Sequence, residues 1–218
     1  MASGQLSREE ALACTDCKHA CHVMLYSDTK SQLFGRTPIK HIVLMQMRFD
    51  GLLGFPGGLV DAGESLEEGL NRELLEELGM AVSVSEEDLM DSRFAPPLPG
   101  KPCAGLITHL YVKKLEEEQI QEVEKACVSS AADHGLEVMG MVRVPLYSTI
   151  RGGGLGFFLS NSFIGNARSQ LINSLLRLHL VSAGELRSAL RNSLKIHSKS
   201  AKDLKAAFAL TEAHGNWL

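Results

Sequence analysis

Leu66, Leu70, Leu74 and Leu78 recur at every fourth position, and acids fill most of the places between them. That spacing lays one apolar stripe along a helix, so a helix is predicted over 65–78 with Gly79 as its stop. Elsewhere the pattern changes. ACHVMLY (20–26), HIVLMQMR (41–48), AGLITHLYVKKL (104–115) and LEVMGMVRVPLY (136–147) are rich in β-branched and apolar residues and predict strands. GLLGF (51–55), after the Asp50-Gly51 turn signal, predicts another, and so does a short segment near 80–84. EEEQIQEVEKACV (116–128) and the amphipathic 161–180 predict helices, and 182–210 is helical in pattern. Ser7 opens a capping pattern, SREEAL, for a short helix. RFAPPLPGKP (93–102), which holds four of the seven prolines, and RGGGLG (151–156) predict irregular loops.

Strands and helices do not alternate regularly, as they would in a parallel sheet. The fold class expected is therefore α/β of the mixed-sheet, α+β kind, with helices packed outside the sheet. A lead-in (1–17), a main domain (18–181) and a helical, basic C-terminal extension (182–218) are expected. No internal repeat is present.

Composition narrows the picture only a little. With 218 residues, 44% apolar and 22% charged, the chain suits one domain with appendages. A net charge of −4 argues against a generally basic nucleic-acid binder but leaves room for a local basic patch. No apolar run is long enough to cross a membrane, and the N-terminus has no signal-like apolar stretch. An intracellular protein with five reduced cysteines is expected. Cys14, Cys17, Cys21 and His22 raise the question of zinc. A closed zinc site needs four good ligands, and the isolated Cys103 and Cys127 supply no second pair, so scattered free thiols are expected.

The acids carry the chemistry. Glu64, Glu67, Glu68, Glu73, Glu76 and Glu77 crowd one stretch, and within it only Arg72 answers them. On a helix Glu73, Glu76 and Glu77 fall three and four residues apart and converge beside the leucine stripe, where like charges repel. Hard divalent cations such as Mg²⁺ and Mn²⁺ prefer carboxylate oxygens and bring phosphates with them. Gly57 and Gly58 bring a loop backbone near the helix start free of side chains, and Arg72 can hold a glutamate through a bidentate pair. Spacing from Gly58 reads G-x5-E-x7-R-E-L-x-E-E-x-G-M.

That pattern resembles the Nudix box at every fixed position. The resemblance implies an α/β/α sandwich with the box as loop–helix–loop, and metal-assisted hydrolysis of a nucleoside diphosphate linked to a further group. It implies that Mg²⁺ or Mn²⁺ is held by Glu73, Glu76, Glu77 and the backbone of Gly57. Arg72 belongs to the same catalytic set, Glu76 or Glu77 acts as base, and Glu64 supports the site. KHACHVMLY (18–26), LFGRTPI (33–39), VLMQMRFDGLLGFPGG (43–58), DHGLEVMGMVRVPLY (133–147) and FLSNSFIGNARSQL (158–171) extend the likeness over roughly 7–180. They are similar to the inosine diphosphatase and U8 snoRNA-decapping Nudix proteins, and to their paralogue the Tudor-interacting repair regulator.

The enzymes of this subgroup imply nucleoside diphosphate or capped RNA as substrate, RNA binding, a homodimer, and a place in the nucleus (nucleoplasm and nucleolus) with the cytoplasm as a second location. His22, Arg48, Phe55 and Gln170 match positions that would contact the nucleotide. The paralogue implies instead a non-catalytic protein that binds the tandem Tudor domain of the p53-binding repair protein and controls its recruitment to chromatin. No membrane is implied. DAGESLEE (61–68) is one residue shorter than the enzymes' usual loop, and LMDSRFA (89–95) lacks the histidine that relatives carry near the metals. In the tail, Arg187, Arg191, Lys195 and Lys199 recur every four residues, followed by Lys202 and Lys205. This makes either a basic stripe for RNA phosphates or an acidic partner, or a plain solvated face.

Overall fold

The computed structural model describes residues 4–95, 105–149 and 153–214. Its first half comprises β1 (Gln5–Leu6), α1 (Arg8–Leu12), β2 (Lys18–Asp28), β3 (Gln32–Leu33), β4 (Thr37–Pro38), β5 (His41–Arg48), β6 (Leu53–Gly54), β7 (Gly57–Leu59) and α2 (Leu66–Leu78). Then come β8 (Leu89–Ala95), β9 (Leu106–Lys114), α3 (Glu117–Ser129), β10 (Val138–Arg143), α4 (Leu155–Phe158), α5 (Ala167–Arg177) and α6 (Ala183–His214). The described strands form a mixed sheet in the order β1-β8-β9-β2-β5-β10, with β6 paired to β5 and β7 to β2. β3 and β4 form a separate hairpin. Among these pairs only β2 with β9 is parallel.

β2 sits at the centre because both of its faces are apolar. Cys21, Val23 and Leu25 pack with α2 and α3, while Met24 and Tyr26 pack with α5 and the start of α6. Two cores result, one on each face of the sheet, and helices cover both. One edge of β2 carries two partners in succession. Residues 20–22 pair with β7, and residues 26–28 pair with β5. The chain between these partners turns at Gly51, whose φ of 77° suits glycine.

α2 forms as its pattern predicts. Ser65 caps it, with Glu68 closing a capping box, and Gly79 ends it in the left-handed conformation with φ 70°. A side chain on Gly79 would run into the backbone of Ser130 and Ala131, so the helix end also fixes the close approach of the segment after α3. α1 begins with a capping box between Ser7 and Glu10.

Five expectations change. The strand near 80–84 does not form. Val82 and Val84 are buried, but the Asn71 side chain takes the place of a neighbouring strand, accepting from the Val84 amide at 2.9 Å and donating to its carbonyl at 3.0 Å. β8 went unseen because Asp91, Ser92 and Arg93 interrupt its apolar pattern, although Asp91 and Ser92 are buried. The strand over 136–147 shortens to Val138–Arg143. Residues 136–137 belong to a turn whose amides bond to the Asp133 carbonyl, and Pro145 has no N–H to continue the ladder. The helix over 161–180 shortens to Ala167–Arg177, because the Ser162 carbonyl and the Ile164 amide bond instead to the backbone of Leu53. Residues 155–156 of the expected loop instead begin α4 (Leu155–Phe158). Residues 96–102 of the proline-rich loop, 151–152 of the glycine loop and Cys103 lie outside the described residues. α6 is one helix, and no described helix is long and apolar enough to cross a membrane.

The lead-in is tied to the sheet by polar contacts. Arg8 grips Glu67 of α2 bidentately at 2.7 and 3.0 Å, and the Tyr111 hydroxyl donates to the same carboxylate at 2.6 Å. Beside them runs a chain of neutral groups. Ser92 Oγ lies 2.9 Å from His109 Nδ1, His109 Nε2 lies 2.9 Å from His19 Nδ1, and His19 also bonds to the Cys14 backbone. With His19 Nδ1 unprotonated, His109 Nε2–H donates to it and the Ser92 hydroxyl donates to His109 Nδ1. Desolvation, with the nearby His19 and Arg8 charges, pushes His109 down to about 4, and desolvation also lowers His19.

A folded-state value below the ordinary one means that the neutral ring stabilises the fold fully above about pH 6.5, and that this stabilisation is lost as pH falls toward 4. Thermal midpoints measured across that window should therefore drop, with His109 alone accounting for up to about 3 kcal/mol, and the drop should shrink in His109→Gln. Arg8→Ala should lower stability at neutral pH by roughly 1–3 kcal/mol, because Glu67 then loses its charged partner. Chemical denaturation would show it.

Candidate functional site

The leucine stripe turns α2 so that Glu73 and Glu77 face the loop before it. That loop comes close because it has no side chains in the way. Gly57 has φ 123°, and a side chain there would strike the Cys21 carbonyl and the backbone of His22. A side chain on Gly58 would overlap the Glu73 carboxylate. The Gly57 amide donates to Glu77 Oε2 at 2.6 Å, and Gln46 Nε2 of β5 donates to Glu77 Oε1 at 2.8 Å. One buried carboxylate thus joins loop, helix and sheet.

Each of the crowded acids has its own surroundings. Glu64 takes Arg72 Nε at 2.8 Å and Nη2 at 3.1 Å, plus the Asp61 amide at 3.0 Å. Arg72 Nη1 reaches Glu73 at 2.8 Å, and Nη2 reaches the Leu59 carbonyl at 3.1 Å. Glu67 belongs to Arg8 and Tyr111, and Glu68 to the helix cap. Glu76 is left the freest, its nearest cation being Arg72 at 3.5 Å with the side chain 45% exposed. The helix therefore tolerates its charge because five of the six acids, all but Glu76, accept hydrogen bonds from other groups of the fold. Arg8, outside the stretch, is the second cation answering them, and its distance in sequence hid it.

Electrostatics separate Glu73 and Glu77 from the rest. Desolvation pushes Glu77 up to about 7, with the Glu73 and Asp133 charges adding to it against the Gly57 and Gln46 hydrogen bonds. Desolvation also raises Glu73, against Arg72. Arg72 holds Glu64 low. Asp133, whose amide bonds to the Glu76 carbonyl at 3.3 Å, is a further acid of this neighbourhood. In sequence it carried no sign of that.

Among the described residues no three of His, Cys, Asp or Glu are grouped to hold a metal by themselves. The donors nevertheless fit a hard divalent cation. Mg²⁺ is commonly bound through one or two carboxylates, with waters and substrate phosphates completing its shell. Carboxylates whose ionisation is opposed by burial and by one another lack the positive charge such an ion brings. Cys14, Cys17, Cys21 and His22 form no such group either, and Cys14, Cys17, Cys21 and Cys127 are free thiols.

The four residues matched to nucleotide contacts fall into different settings. His22 pairs across β2 with Gly57, and desolvation, then the Arg48 charge, pushes it down to about 4, so it is neutral at pH 7. Arg48 is engaged with Asp50 at 3.1 Å and lies over the Phe49 ring. Phe55 is 3% exposed and packed in the core with Met24 and Leu171, so it presents no open ring face. Gln170 is buried, and its Nε2 has no partner. α5 crosses β8 with Ser169 near Arg93 (3.5 Å) and Arg177 donating to the Met90 carbonyl (2.9 Å). Asp91 lies on that part of β8, buried, with Oδ1 unpartnered, and Leu110 separates it from His22 in strand register. Asp91 stands in the LMDSRFA segment that lacks the relatives' histidine, on the strand next but one to His22. A cleft of about 650 Å³ lies beside the box loop, lined in part by Arg8, His19, Leu59, Asp61 and Glu64.

Comparison with known proteins agrees with this geometry. The model of the Nudt16-like family, described as U8 snoRNA-decapping enzyme-like, matches residues 19–181. A U8 snoRNA-decapping enzyme of Xenopus laevis is 48% identical over 196 residues, covering 88% of this chain and 90% of its own. That of Mus musculus is 53% identical over 178 residues, 80% of this chain and 89% of its own. The Tudor-interacting repair regulator protein of Mus musculus is 45% identical over 203 residues, 92% of this chain and 93% of its own. With its box assembled on α2 and a family match over most of its length, the chain belongs to the Nudt16-like family of the Nudix superfamily.

Proposed function

We propose that the chain is a divalent-metal-dependent hydrolase of inosine-type nucleoside diphosphates and RNA 5′ caps that also binds RNA. One observation carries this reading. Glu73 and Glu77 are held side by side against Gly57 and Gly58 with their ionisation opposed by burial. A protein that only binds partners gains nothing from such an arrangement, which costs stability in the absence of a cation. The names of the decapping relatives supply the substrate class.

Mg²⁺ or Mn²⁺ bound by Glu73, Glu76 and Glu77, with the Gly57 backbone, would neutralise the pyrophosphate and polarise the attacked phosphorus. The chain's own residues do the rest. Arg72 fixes Glu73 and ties it to Glu64. Gln46 and Gly57 fix Glu77 by both oxygens. Glu76 or Glu77 takes the proton of the attacking water, and Glu76 is the one whose carboxylate is open to solvent. His22 and Gln170 are the positions that the resemblance assigns to nucleotide contact; a neutral imidazole and a side-chain amide each suit a hydrogen bond to a purine edge.

A second reading has its own support, since a Tudor-interacting regulator matches nearly the full chain. In it the box is vestigial and the function is binding of a tandem Tudor domain.

Purified protein should hydrolyse inosine diphosphate or capped RNA when given Mg²⁺ or Mn²⁺, and Glu76→Gln and Glu77→Gln should each lower kcat/KM by about 10²–10⁴-fold. Turnover no greater than in the double variant would end the enzymatic reading, and capture of a tandem Tudor domain at micromolar concentration would then favour the second. Gly58→Ala should displace the Glu73 carboxylate and lower kcat on the order of 10²-fold through misplacement, with the thermal midpoint nearly unchanged.

A further inference from the structure

The start of α6 has two sides. Leu186, Ala189 and Ser193 are buried, and Leu186 and Ala189 belong to the core that α5 also covers. Arg187, Arg191 and Lys195, one turn apart, are exposed, and no hydrogen bond or ion pair engages them among the described residues. Their spacing along the axis is about 6 Å per step. The buried side seats the helix on the core, so the backbone positions from which these side chains extend are set by the fold.

Against this basic side lies a cleft of about 390 Å³, lined by Ser148 and Thr149 on one wall and by Ser188, Arg191, Asn192 and Lys195 on the other, with no acidic residue among the described residues that line it. A side chain on Gly156 of α4 would lie 2.8 Å from Asn192 Nδ2 and 3.2 Å from the Ala189 carbonyl, so glycine there lets α4 pack closely against α6. The hydroxyl wall is braced too. The Thr149 amide donates to the Gly153 carbonyl at 2.9 Å, and the Gly153 amide donates to Thr149 Oγ1 at 2.9 Å. Phe157, which follows Gly156 along the chain and does not itself line the cleft, is 50% exposed. A braced cleft with unpaired cations and hydroxyls, and an exposed aromatic residue next along the chain, is a combination that suits a single-stranded nucleic-acid backbone: cations and hydroxyls for phosphates, a ring for a base. An acidic protein segment would have use for the cations but not for the aromatic platform.

We propose that this cleft between α4 and α6 is a binding site for the backbone of single-stranded RNA, separate from the carboxylate site, with Arg191 and Lys195 on phosphates, Arg187 extending the track, and Phe157 stacking a base. It lies on the face of the sheet opposite α2. The site does not require the box to be catalytic.

The test is fluorescence anisotropy of an uncapped 20-nucleotide single-stranded RNA against the full chain, in EDTA, across a salt series. Arg191→Gln/Lys195→Gln should weaken binding at least tenfold, and should reduce the slope of log K against log salt by about 1.4, near 0.7 for each phosphate no longer neutralised. Phe157→Ala should weaken binding without changing the slope. Inosine diphosphate hydrolysis should be the same in all three proteins. If none of them hydrolyses it but the RNA effects persist, the enzymatic reading fails and this one stands. Wild-type protein that does not bind the RNA, or a double variant that binds with unchanged affinity and slope, overturns the proposal. So does polyglutamate that displaces the RNA at equal charge concentration, which would favour an acidic protein partner. Lys195→Gln alone, with an expected slope change of about 0.7, serves should the double variant fail to fold.

Discussion

The Gly57 amide and the Glu77 carboxylate meet at 2.6 Å in a buried setting, and Gln46 completes the contact from the sheet. A charge-assisted hydrogen bond of this kind is strong in low dielectric, and removing either partner leaves the other uncompensated. It also demands geometry. Gly57 must lie against the backbone of Cys21 and His22, which excludes any side chain, and α2 must present Glu77 at the right turn. The leucine stripe, the Ser65 cap and the Gly79 stop meet the second demand, and the pairing of β7 with β2 meets the first. Loop, helix and central strand are thereby fixed relative to one another before any ligand arrives.

The same contact explains how a stretch with so many acids folds. Repulsion among carboxylates is largely offset by distributing them. Arg72 takes Glu64 and Glu73, Arg8 and Tyr111 take Glu67, and Ser65 takes Glu68. What remains is Glu76, whose nearest cation lies 3.5 Å away, beside Glu73 and Glu77, whose ionisation burial opposes, with Asp133 nearby. Charge that a helix surface would ordinarily shed is here concentrated in one place by satisfying it everywhere else.

Features governed by local rules were legible in the sequence. α2 with both of its caps, β5, and the box acids around Arg72 follow from periodicity, capping chemistry and spacing. Features governed by contacts between distant residues were not. Asn71 satisfies the backbone of Val84 and so removes a strand that the residues favour. Leu53 draws residues 162–164 out of a helix that their pattern favours. β8 carries buried Asp91 and Ser92, polar positions whose burial depends on α5 and His109. Of the candidate site, the carboxylates could be read from spacing, but not the assistance of Gln46, Asp133 and Arg8, because each arrives from another part of the chain. Phe55 shows the converse. Its chemistry suits a stacking ring, yet its place in the core leaves no open face.

The sheet keeps two helical layers apart. α2 and α3 share a core on one face, while α4, α5 and the start of α6 lie with the other. Each layer packs on its own face of the shared sheet. Such a partition makes the two surfaces separately evolvable. Substitutions on the exposed side of α6 or at the rim of α4 leave the α2 carboxylates in place, and loss of a carboxylate leaves the α4–α6 surface in place. A lineage with this architecture can give up hydrolysis and keep its grip on a partner, or exchange partners and keep its chemistry, without passing through a sequence that fails to fold.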